Sequence, residues 1–149
     1  MVAFPSVRLP YSSDKAPVNF SLTLKSSPES PSHLLAINVC ESLISKGHRI
    51  NQVFFYENSV YAASSLLLPD QDELNVTRHW QSIAKDHQVK LYVCVAAASR
   101  RGIINAEEAK ANDLEHSNVA NYFEIAGLGQ WVETLMSAND EDSTKLLTF

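Results

Sequence analysis

The chain has 149 residues, of which 45% are hydrophobic and 19% charged, with a formal net charge of −5. That length fits a single domain and buries a core without disulfide or metal staples, and the acidic balance argues against a dedicated nucleic-acid binder, which carries a basic face or arm. Two cysteines, Cys40 and Cys94, and five scattered histidines offer no zinc spacing, and no run approaches the roughly 18 apolar residues of a membrane span.

Residues 1–17 carry Pro5, Pro10 and Pro17, which remove donors and break regular structure, so an irregular N-terminal arm is expected before a domain at 18–149. The start Met1-Val-Ala-Phe-Pro lacks the cationic opening and long apolar run of a signal peptide, so a reducing, cytoplasmic setting is expected. Val18, Phe20, Leu22 and Leu24 alternate with polar residues, the period of a first strand. Ser30 and Pro31 read as an N-cap and first-turn proline, and Leu34, Ile37, Leu43 and Ile44 continue at helical spacing to Gly47. Cys40 falls within this helix, where a small core residue is expected.

Arg49–Tyr56 is the second expected strand, with the unbroken apolar run Val53-Phe-Phe-Tyr56. A short segment around Val60–Ala63 and a polar linker at Pro69–Asp72 lead to a helix over Glu73–His87, with Trp80 on its inner side and His79 and His87 as solvated or capping groups. Val89–Ala96 is the third strand. Asn105-Ala-Glu-Glu108 reads as a capping box opening a short helix. Tyr122–Ala126 is the fourth strand, turned by Gly127-Leu-Gly129 into a helix reaching about Ser137, and after an acidic loop at 139–143 the residues Leu146–Phe149 form a last strand. Strands alternating with helices predict an α/β fold: a mostly parallel sheet of about five strands with helices on both faces.

Chemistry concentrates at Cys94. In open α/β sheets, ligands and reactive groups sit outside the carboxyl ends of the strands, and the expected strand puts Cys94 two to three residues from that end. Arg100 and Arg101 follow beyond it. Cations beside a thiol favour the thiolate, which is the nucleophile, so the pair is assigned a supporting role for a thiolate or persulfide. The competing reading makes Cys94 an inert core residue and the arginines a solvated pair. Other chemistries lack their signatures. Gly127-x-Gly129 is too short for a phosphate loop, G-x-G-x-x-G and Walker patterns are absent, and so is G-x-S-x-G.

The segment Leu91-Tyr-Val-Cys-Val-Ala-Ala-Ala-Ser-Arg-Arg-Gly-Ile103 resembles the active-site segment of the DsrE/TusD family of sulfurtransferase subunits. Val53–Tyr56 with Val60-Tyr61, Trp80-Gln81, Ser117-Asn118, Gly127-Leu-Gly129 and the closing Phe149 fit the same family in the same order, over about residues 18–149. The loop Ser26-Ser-Pro-Glu-Ser-Pro31 departs from the Gly-Pro-x-Tyr-Gly type of loop usual after the first strand of TusD-like chains.

The resemblance implies a sulfur relay. A TusD-like subunit takes sulfur as a cysteine persulfide from a TusA-like donor and passes it toward a TusE-like acceptor for 2-thiolation of the tRNA wobble uridine. Cys94 matches the persulfide-bearing cysteine, and the implied assembly is a heterohexamer with TusB- and TusC-like subunits. Trp131 and Tyr61 are candidates for subunit contacts. No metal, nucleotide or redox cofactor is implied. The alternatives are a DsrE-type subunit in sulfur oxidation and a non-catalytic assembly subunit of the same fold.

Overall fold

A computed structural model describes residues 16–136 and 144–149. Five strands, β1 (Asn19–Leu24), β2 (Arg49–Phe55), β3 (Lys90–Cys94), β4 (Phe123–Ala126) and β5 (Lys145–Thr148), form one sheet in the order β4-β3-β2-β1-β5. Every pairing between neighbouring strands is parallel. The α/β class and the five-strand count expected from the sequence both hold. The expected arm lies almost wholly outside the described residues, as do the acidic loop and Ser137.

Helix α1 (Pro31–Ser45) begins as its sequence predicts, with the Ser30 hydroxyl accepting from Ser32 N at 3.3 Å and proline in the first turn. It ends in a Schellman turn: Gly47 N bonds Ile44 O, and His48 N bonds Leu43 O. Gly47 sits at φ +82, a conformation glycine adopts without steric cost. Helix α2 spans Val76–His87 and starts three residues later than the expected Glu73. Asn75 sets that start, because its side chain accepts from Arg78 N at 3.0 Å and caps the helix there. Between β2 and α2 lies a 3-10 helix, Glu57–Ala63, at the short segment left without an expected element.

Helices cover both faces of the sheet. On one face α1 and α2 bury Leu22, Leu24, Val53, Phe55 and Val93 around Trp80. On the other, α5 (Leu128–Met136) lies over β2, with Trp131 5.6 Å from Phe54 and the Trp131 carbonyl accepting from Gln52 Nε2 at 3.4 Å. Trp131 thus packs inward, contrary to its expected place among surface contacts, whereas Tyr61 is 39% exposed. Burying each large aromatic of this core contributes on the order of 2–3 kcal/mol. No helix among the described residues is long and apolar enough to cross a membrane.

Candidate active site around Cys94

Strand β3 ends at Cys94, two residues short of the expected Ala96. The run Val95–Ser99 turns at once into a short helix, α3, with Cys94 as its N-cap residue. Alanine has the highest helix propensity, so three consecutive alanines override the continuation of the strand. The correction moves Cys94 from near the carboxyl edge of the sheet to the edge itself. Its Cα stands in register with Ala126 of β4.

The Cys94 side chain makes no capping hydrogen bond, and the residue is 4% exposed. Val95 and Ala96, next along the chain, are exposed, while Ala97 and Ala98 are buried. Cys94 is thus a buried residue followed at once by two exposed ones.

The two arginines part company. Arg100 is exposed, and its backbone N–H bonds Ala96 O. Arg101 is half-buried, and its guanidinium donates twice: Nε to Asn58 Oδ1 and Nη1 to Ala97 O, both at 3.0 Å. Asn58 lies on the 3-10 helix and carried no signal in the sequence, because nothing in residue type or spacing links positions 58 and 101.

The loop after α3 is also held. Gly102 adopts φ +71. The Asn118 side chain accepts from Ile104 N at 2.8 Å and donates to Gly102 O at 2.7 Å, and its backbone N–H bonds Ile104 O. Ser99 Oγ donates to Glu108 Oε1 at 2.9 Å, and Glu108 completes the expected capping box with Asn105 on α4 (Ala106–Ala111). Asn118 was legible only as part of a family-like dipeptide, and its structural work is to pin the Gly102–Ile104 loop.

Cys40 is fully buried within α1, and burial pushes its thiol up to about 12, with Glu41 adding to the effect. The expectation of a small core residue at Cys40 agrees with this burial. Among the described residues no cluster of three or more His, Cys, Asp or Glu is placed to hold a metal ion. A groove of about 350 Å³ between the β1–α1 loop and the start of α2 is lined by Leu34, Leu67, Leu68 and Leu74 with Glu29 and Glu73, apart from Cys94 and without a nucleophile.

The DsrE/DsrF-like family matches residues 19–140. A sulfurtransferase TusD homolog of Aliivibrio fischeri is 45% identical over 101 residues, covering 68% of this chain and 78% of that one. Sulfurtransferase TusD of Photorhabdus laumondii is 39% identical over 101 residues, covering 68% and 77%. A TusD homolog of Vibrio cholerae is 45% identical over 96 residues, covering 64% and 73%. The solved YchN protein of E. coli superposes with a TM-score of 0.65 over 90% of this chain and all of that one, at 17% identity, a likeness of fold. The curated relatives support a sulfurtransferase within that fold. With most of its length matched and relatives at this level of identity, the chain belongs to the DsrE/DsrF-like family.

Proposed function

We propose that this protein is a sulfurtransferase that carries a sulfane sulfur as a persulfide on Cys94. The observation that carries the reading is the position of Cys94. It is a thiol at the carboxyl end of β3 that makes no capping hydrogen bond to α3, with two cations six and seven residues later. The relatives named sulfurtransferase TusD support the same reading.

The chemistry is thiol–disulfide-like exchange. The Cys94 thiolate attacks the terminal sulfur of a donor persulfide. One S–S bond forms on Cys94, one breaks on the donor, and the donor leaves as a thiolate. The step is redox-neutral. An acceptor thiolate then removes the terminal sulfur from Cys94 by the same exchange. In this reading Arg100 and Arg101, six and seven residues after Cys94, are the cations assigned to support the sulfur-bearing thiol and to meet an incoming anionic group. The fuller proposal is a TusA-like donor, a TusE-like acceptor, partnership with TusB- and TusC-like subunits in a heterohexamer, and tRNA wobble-uridine thiolation in the cytoplasm.

A second reading, a non-catalytic assembly subunit, is favoured by one observation, the 4% exposure of Cys94. Intact-mass measurement after treatment with a persulfide donor separates the two. A sulfur adduct kept in Cys40→Ser and lost in Cys94→Ser supports the carrier. Equal adducts in both variants, or no adduct on the wild type, overturns it.

A further inference from the structure

We propose that Arg101 and Asn58 act together as a positioning clamp that fixes the turn carrying Cys94, a role for Arg101 beyond its charge. The inference rests on Cys94 being the sulfur carrier.

Helix α3 has five residues, too few to be stable by itself. At its end, Ala96 O accepts the Arg100 N–H and Ala98 O accepts those of Arg101 and Ile103. Ala97 O is satisfied by the Arg101 guanidinium instead. The same guanidinium reaches Asn58, 43 residues earlier in the chain. One planar, rigid fork therefore grips two segments at once, which a lysine cannot reproduce.

The far end of the grip is itself anchored. Ser59 Oγ, next to Asn58, lies 2.6 Å from Leu24 O at the end of β1, and the Tyr56 N–H donates to it at 2.8 Å. Thr77 Oγ1 of α2 donates to Ala62 O at 2.7 Å. The 3-10 helix is thus tied to β1 and α2, and Arg101 ties α3 to the 3-10 helix. Because α3 continues directly from Cys94, the clamp determines where the sulfur sits relative to the sheet edge. Arg100, with only its backbone N–H engaged among the described residues, is the cation left to meet an incoming anionic group.

The test uses Asn58→Ala, Arg101→Lys and the double variant, all in a Cys40→Ser background. Asn58→Ala leaves the Arg101 charge intact, and Arg101→Lys keeps the charge while losing the fork. Two rates are measured on the folded protein: sulfur uptake from glutathione persulfide by intact mass, and Cys94 alkylation by iodoacetamide as a function of pH. The clamp predicts that each variant slows sulfur uptake at least about tenfold, within the roughly hundredfold loss that a 1 Å misplacement can cause. Alkylation becomes faster as the buried thiol loosens, with its pH midpoint unchanged. The double variant is no slower than either single one, because both remove the same link.

Normal uptake in Asn58→Ala, or multiplied losses in the double variant, would overturn the clamp. Normal uptake in Arg101→Lys, which keeps the charge and loses the fork, would overturn it too, and would return Arg101 to a purely electrostatic role. If the parent protein takes up no sulfur, the carrier reading fails, and alkylation alone then decides the clamp. Unchanged alkylation in all three variants overturns it, and acceleration in all three supports it.

Discussion

The indole N–H of Trp80 donates to Nε2 of His33 over 2.9 Å, joining α2 to α1 inside the core. The other imidazole nitrogen, Nδ1, lies 3.2 Å from Ser26 O in the β1–α1 loop. A neutral ring with its proton on Nδ1 satisfies both contacts. Burial holds the His33 pKa below its ordinary 6.5, outweighing the opposing pulls of the Ser26 carbonyl and Glu29. Protonation would aim a second N–H at the indole N–H. The native state therefore resists a proton that the unfolded state accepts.

The sign follows from that difference. The His33 contribution to stability is complete above about pH 6.5 and is lost as pH falls through that value toward the depressed native pKa. Urea unfolding of the wild type and of His33→Gln, at neutral pH and near pH 5, measures it. The variant is expected to lose less stability across this interval than the wild type. Equal losses would contradict the assignment.

Trp80→Phe keeps most of the apolar contact with Phe55 and removes the only donor that His33 Nε2 has among the described residues. Leaving that buried nitrogen unpaired costs about 1–3 kcal/mol. Chemical denaturation is expected to show a lower midpoint with an unchanged slope. A loss within a few tenths of a kcal/mol would mean that the bond contributes little.

Asn118→Ala strips both partners from the Gly102–Ile104 loop, whose amide and carbonyl it satisfies. The expected destabilisation is about 1 kcal/mol, because the Ile104 N–H is partly buried, whereas the exposed Gly102 carbonyl can turn to water. Asn118→Asp retains the acceptor for Ile104 N and loses the donor to Gly102 O, so it should fall between the wild type and alanine. Thermal unfolding of the three proteins checks the order. Identical melting curves would refute a pinning role.

Cys40, with its thiol pushed up to about 12, holds almost no thiolate at neutral pH. In the folded protein it should stay unlabelled by iodoacetamide while Cys94 reacts, and both should react in denaturant. Cys40→Ala should cost about 1 kcal/mol, close to the burial of a single methylene-sized group. Rapid labelling of native Cys40 would contradict the burial.

Most of this architecture is written locally. Alternation at Val18–Leu24, the Ser30-Pro31 cap, the capping box Asn105–Glu108 and the glycine turn after Ala126 each specify their element from adjacent residues, and each lies close to where it was expected. The errors fall where two local preferences compete. Glu73–Asn75 has helix-compatible residues, but the Asn75 cap delays the helix to Val76. Val95–Ala98 continues an apolar strand, but its alanines favour helix, and so Cys94 becomes a cap residue. The candidate site at Cys94 was legible in part because strand end, thiol and arginines are neighbours in sequence. Asn58 was not, because its bond to Arg101 spans 43 residues and arises from the packing of the 3-10 helix on α3. The His33–Trp80 bond was hidden in the same way, since each residue alone reads as ordinary helix content.

The central claim is that the transferred sulfur resides on Cys94, and peptide mapping tests it most directly. The wild-type protein is loaded with glutathione persulfide, alkylated, digested and analysed by mass spectrometry. The account predicts an alkylated persulfide, one sulfur atom heavier than the alkylated thiol, on the peptide containing Cys94, with the Cys40 peptide carrying none. Extra sulfur on the Cys40 peptide, or an unmodified Cys94 peptide after loading, would contradict it.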